Sequence, residues 1–186
     1  MVKLTVSTHK LFGYGGTQRT AKRLAEQAVT LVDRSVPGRM PDLQITLTAP
    51  RGMAELATAA EVELTGGEVD KRIQARALRE ANRHARDAAA RAIPLASGGV
   101  LVLVNIDHHA NPAQFAVTLV HELVHAMQFS RKGVRERIVT DLRDGLGVEK
   151  QSRRQAREHL RLLEQEEREA YGVEYLANQL VPAAAA

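Results

Sequence analysis

The stretch His121-Glu122-Leu123-Val124-His125 narrows what this chain can become more than any other. It lies in an apolar segment opened by Asn111-Pro112. That pair marks a helix start, with Asn as N-cap and Pro at the first helical position. The helix is expected to run to about Ser130 and to stop near Gly133. Residues four apart on an α-helix are separated by about 40° around the axis. His121 and His125 therefore project side by side. Glu122 is turned about 100° from His121, beside the pair rather than within it. Ala116, Leu119, Val120, Leu123 and Met127 form the apolar stripe that seats such a helix.

This spacing has a chemical reading. Two adjacent imidazole nitrogens reach one ion at about 2.0–2.1 Å, and zinc is the usual occupant. Glu122 is then placed to hold a water beside the ion and take its proton. With seven His and fifteen Glu in the chain, random placement gives roughly 0.02 such patterns, so chance is a poor explanation. One Zn²⁺ per chain is expected.

Composition removes competing chemistries. The 186 residues contain no cysteine, which excludes disulfide scaffolds, thiol nucleophiles and Cys-ligated zinc. With 44% hydrophobic and 26% charged residues, there is material for a core. The formal charge of +4 permits an anionic partner without requiring one. There is no Trp, and Tyr and Phe number three each, so no base-stacking platform is expected. The longest apolar run, Val100 to Ile106, is too short to cross a bilayer. MVKLTVSTHK has no apolar h-region, which sets the expectation of a cytoplasmic chain; the mature form of an exported protein fits the same residues.

Hydropathy patterning predicts three strands: Val2 to Ser7, Leu43 to Thr48, and Val100 to Ile106. A helix capped by Thr17 is expected to run to about Ser35. Residues 50 to 60 read as weakly helical. A long helix is expected from about Glu68 to Ile93, and a last one from Glu149 to Leu180, closed by Pro182. Residues 133 to 148 give no clear assignment. Strands interleaved with helices and followed by helices alone point to an α+β fold with a small mixed sheet. It is expected as one domain over residues 1–182 with a disordered tail at 183–186.

Hydrolysis by zinc needs a third protein ligand and an open position. Candidates crowd EQEEREAYGVE, Glu164 to Glu174. Leu160, Leu163, Ala170, Ala177 and Val181 repeat at helical spacing, which predicts an inward stripe. Glu167 and Glu174 fall within it, Glu166 at its flank, Glu169 on the far side. An inward carboxylate is costly unless paired or ligating. Glu167 is thus the first choice for third ligand. Glu174 is the second choice, or a group that orients a histidine. The competing reading for Glu166, Glu167 and Glu169 is a solvated acidic patch pairing with Arg161, Arg168 or lysines.

HELVH followed by Glu167-Arg168-Glu169-Ala170 resembles the gluzincin zinc metallopeptidases, in which the third ligand is the Glu three before a small residue. Gln128 and Arg131 stand where the longer metzincin motif carries Gly and His. EREAYGVEYLANQLVP, from Glu167 to Pro182, is similar to the E-R-E-A-N…L-L-M-P block of ImmA/IrrE-type metallopeptidases, with Tyr171 where many such families carry Asp or Asn. The resemblance covers about residues 117–128 and 166–182. It implies a zincin-like fold and a zinc metalloendopeptidase acting on a peptide or protein along an edge strand, with His121, His125 and Glu167 as metal ligands and Glu122 as general base. Tyr171, one turn from Glu167, is the first candidate for oxyanion donor; Tyr175 and His159 come after it. His108 and His109 read as a surface turn.

Arg72, Arg76, Arg79, Arg83 and Arg86 follow 4, 3, 4, 3 spacing. This row reads as a solvated face whose stems lie over Ala77, Ala81 and Ala85, so nucleic acid is not an expected partner. The alternative function is a catalytically silent zincin-like protein that binds a protein or nucleic acid through this basic face. Its oligomeric state and substrate are not written in these motifs.

Overall fold

Val100–Asn105 (β4) is set deepest in the molecule, with all six residues buried. The computed structural model describes residues 2–67 and 69–181; the expected tail at 183–186 lies outside them. Leu4–His9 (β1) and Leu43–Thr48 (β2) join β4 in a parallel sheet, and Ala90–Pro94 (β3) closes it antiparallel, in the order β1-β2-β4-β3. Side chains alternate across the pleat. Val100, Val102 and Val104, with Leu43, Ile45 and Leu47, face one core; Leu101, Leu103 and Ile93 face a second.

The first core lies under Gly15–Ser35 (α1) and Pro112–Phe129 (α4). Pro50–Leu64 (α2) covers the other face with Met53, Ala57 and Ala60, and Lys71–His84 (α3) packs outside it. Val134–Gly145 (α5) and Arg153–Val173 (α6) complete the described helices. The fold is α+β with a mixed sheet of four strands, as expected. Among the described residues, no helix is long and apolar enough to cross a membrane.

Four readings change. The long helix over 68–93 is two elements: α3 ends at His84, and residues 90–94 form β3. Ala-rich sequence carries no strand signature here, and tertiary pairing decides. Ile93 sits opposite Leu101 and Arg91 opposite Leu103. The fully buried Asn105 holds the intervening turn, donating from Nδ2 to the carbonyls of Ala85 and Ala88. Residues 134–145 are helical although none is buried, after Gly133 at φ 82°. The last helix starts later than expected, at a capping box in which Ser152 and Gln155 bond reciprocally, and it tightens into a 3-10 turn at Glu174–Gln179. The Thr17 cap is not used, because α1 begins at Gly15.

Candidate metal centre

Asn111 caps α4 as its sequence implies, accepting from the amides of Ala113 and Gln114, both at 3.0 Å. Ala116, Leu119, Val120, Leu123 and Met127 are all fully buried. They lock the helix between α1 and β3 and fix the direction of the remaining face. On that face His121 and His125 lie 3.1 Å apart, Nε2 to Nε2.

Glu167 comes from α6. Its Oε2 is 3.5 Å from His121 Nε2 and its Oε1 is 3.4 Å from His125 Nε2. The three residues form a cluster whose donor atoms could hold one metal ion. Four ligands held tetrahedrally at about 2.05 Å are separated by about 3.3 Å, so these spacings are those of a tetrahedron's edges. Tautomers agree with geometry. His121 Nδ1–H donates to Glu174 Oε1 at 2.9 Å, and His125 Nδ1–H donates to Gln128 Oε1 at 2.8 Å. Both Nε2 lone pairs are thereby turned toward each other and toward a carboxylate. Such an electron-rich trio fits a cation. Burial pushes the His125 pKa down, which keeps its imidazole neutral, as ligation requires.

Glu174 is thus the group that orients a histidine, the second role foreseen for it. The shift to 3-10 pitch begins at this residue. The inward stripe is rotated from the one expected. Ala170 is buried, but Leu160 is 58% and Leu163 39% exposed. Glu169 faces α4 rather than the far side. Arg131 grips it at 2.7 and 2.6 Å, and Gln128 Nε2 donates to it at 3.0 Å. The Arg131 guanidinium holds the Glu169 pKa low. Glu166 pairs with Arg137 at 2.5 and 2.6 Å. The acids are therefore fixed by arginines of α5 and the α4–α5 connection, not by Arg161 or Arg168.

Gln128 was not anticipated as a site residue. It is fully buried and links α4 to α6, since its Nε2 also donates to the Glu166 carbonyl at 2.9 Å. A readable signal exists: an amide three residues after His125, on the face of the helix that carries the histidines.

Glu122 is 7% exposed and lies beneath β3. Burial pushes its pKa up to about 8, opposed by a hydrogen bond from the Ala92 backbone amide. A dication at the neighbouring donors would pull it back down. The groove above it, about 440 Å³, is walled by β3, α4, α5 and α6. Tyr171 lies outside its lining, 64% exposed, with its ring edge-on to His121 at 4.8 Å. Tyr175 is 64% exposed. His159 is in the groove wall but committed: Nδ1 accepts from Arg137 at 3.0 Å and Nε2 lies 3.4 Å from Asp141. His108 and His109 form the surface turn expected. His108 meets the Arg86 carbonyl at 2.6 Å, while His109 donates to the Asn105 carbonyl at 2.7 Å and accepts from Thr118 at 3.0 Å.

Comparison with family models, with characterised proteins and with solved structures finds no match to the chain.

Proposed function

We propose that this chain is a zinc-dependent metallopeptidase of zincin-like, gluzincin type, with His121, His125 and Glu167 as ligands of one Zn²⁺. The observation that carries the reading is the set of donor separations, 3.1, 3.5 and 3.4 Å, each close to the edge of a zinc tetrahedron. When bound there, zinc supplies Lewis acidity toward a water and a scissile carbonyl.

The chain's own residues supply the rest. A substrate strand lies along the open side of β3, above Glu122. Glu122 takes a proton from the attacking water and delivers it to the departing amine. Its cover by β3 keeps bulk water from competing for that proton. Glu174 and Gln128 hold both imidazoles in one tautomer. Tyr171 is the candidate donor to the developing oxyanion: its exposed side chain rests against His121 outside the groove and must swing inward to serve.

Glu122→Gln tests this reading. The variant is expected to retain about one zinc per chain and the parent's fold. Cleavage of a peptide library should fall by about 10²–10⁴-fold, the usual contribution of a general base. Full-rate cleavage by the variant would remove Glu122 from the mechanism. A zinc-free protein after reconstitution would remove the metal.

A further inference from the structure

On the far side of the sheet, α3 carries a feature that the metal centre does not use. Arg72, Arg76, Arg79, Arg83 and Arg86 are all exposed. Arg72, Arg76, Arg79 and Arg83 lie on α3; at about 100° per residue they fall within an arc of about 60°, and at 1.5 Å rise they make a row about 17 Å long, with Arg86 in the turn just past the helix end. Among the described residues none of the five is in a salt bridge. The stems do not lie over Ala77, Ala81 and Ala85, as the sequence suggested. Those alanines are turned about 140–220° away from the row and line a groove with Met53 and Ala57 of α2. Each like-charged neighbour three or four residues apart weakens the helix. No residue of α3 is buried, and no acid sits in its first turn. Neither its packing nor its internal pairing accounts for this arrangement.

We infer that the outer face of α3 is a binding surface for the backbone of double-stranded DNA. The chemistry separates this partner from others. A protein partner needs an apolar centre to its interface, and none of the exposed large hydrophobic side chains belongs to α3. Single-stranded nucleic acid needs aromatic platforms, which this face also lacks. Counterion release from duplex phosphates needs only a row of cations. The B-form major groove, about 12 Å wide, admits a helix. The A-form major groove of RNA is too narrow. α3 packs on α2 with its alanine side and leaves the arginine row exposed.

The test is anisotropy of a labelled 20-base-pair DNA duplex titrated with the full chain at 50 to 200 mM NaCl. Four to five phosphate contacts at about −0.9 each give a log–log salt slope of about −3.6 to −4.5, a 150- to 500-fold loss over that range. Arg76→Gln/Arg83→Gln should flatten the slope by about 2 with unchanged circular dichroism. Lys22→Gln/Arg23→Gln, exposed on α1 and equal in charge change, should leave it unaltered. Binding should persist in Glu122→Gln and in chelator, so failure here is separable from failure of the peptidase reading. The inference is overturned if duplex DNA is not bound at 50 mM salt or if both double variants weaken binding equally. It is overturned as well if duplex RNA or a polyglutamate peptide binds as tightly as the DNA.

Discussion

Replacing Gln128 separates its two tasks. In Gln128→Leu the Glu169 carboxylate keeps Arg131, and the Glu166 carbonyl stays inside α6. The group left without any partner is the His125 Nδ1–H, which now bonds Gln128 at 2.8 Å. An unsatisfied buried donor costs about 1–3 kcal/mol, and leucine fills the same space. The metal-free protein should lose that amount, read as a lowered urea midpoint at constant m-value. Zinc affinity should fall about 10–100-fold, the usual effect of removing a ligand's orienting partner. At 1.4 kcal/mol per decade this is about 1.4–2.8 kcal/mol. Gln128→Glu restores an acceptor for His125 but faces the Glu169 carboxylate in place of donating to it. It should bind zinc at least as tightly as the parent while its metal-free form is less stable. Competition against a chromophoric chelator gives the affinities. Parent-like zinc binding by Gln128→Leu, or equal losses in both variants, would refute the link between Gln128 and His125.

Glu174→Ala should weaken zinc about 10–100-fold in the same competition assay, whereas Glu174→Gln, which keeps an acceptor for His121 Nδ1–H, should weaken it far less. His109 sets a pH dependence: burial pushes its pKa down, so its neutral form contributes stability above the unfolded value near 6.5. That contribution is lost as pH falls through 6.5 and toward the folded value. Urea midpoints at pH 7.5 and 5.5 should therefore differ more in the parent than in His109→Gln. Gly52→Ala would set a Cβ at 2.1 Å from Thr48 Oγ1 and 3.0 Å from His9 Cδ2. Such overpacking costs about 1–3 kcal/mol, measurable as a lowered melting temperature.

Local chemistry explains which parts of this molecule could be read from its sequence. Asn111-Pro112, the stripe from Ala116 to Met127 and the alternation of Leu43 to Thr48 are each local and strong, and each appears where expected. The two histidines needed only helical geometry to meet. Strand β3 was hidden because AARAIP gains its conformation from Leu101 and Leu103 across the sheet, and from Asn105 closing the turn before it. Helix α5 was hidden because its ties are long-range and polar: Arg135 to the Leu95 carbonyl and Arg137 to Glu166. Glu167 was legible from the stripe even though that stripe is rotated, since Ala170 and Glu167 remain adjacent on either axis. Glu169 was misplaced for the same rotation. Its partners Arg131 and Gln128 lie some forty residues upstream, beyond any helical wheel.

Only Ala170 of the 21 residues in α6 is buried. The helix clings to its neighbours mainly through charged and amide side chains, whereas the sheet and its two cores interlock with little help from it. Two donors thus ride on the rigid part of the molecule and the third on a loosely moored arm. The turn that follows α6 still closes the first core through Leu176 and Ala177, so solvent conditions that loosen polar moorings would part Glu167 from the histidine pair before they open either core.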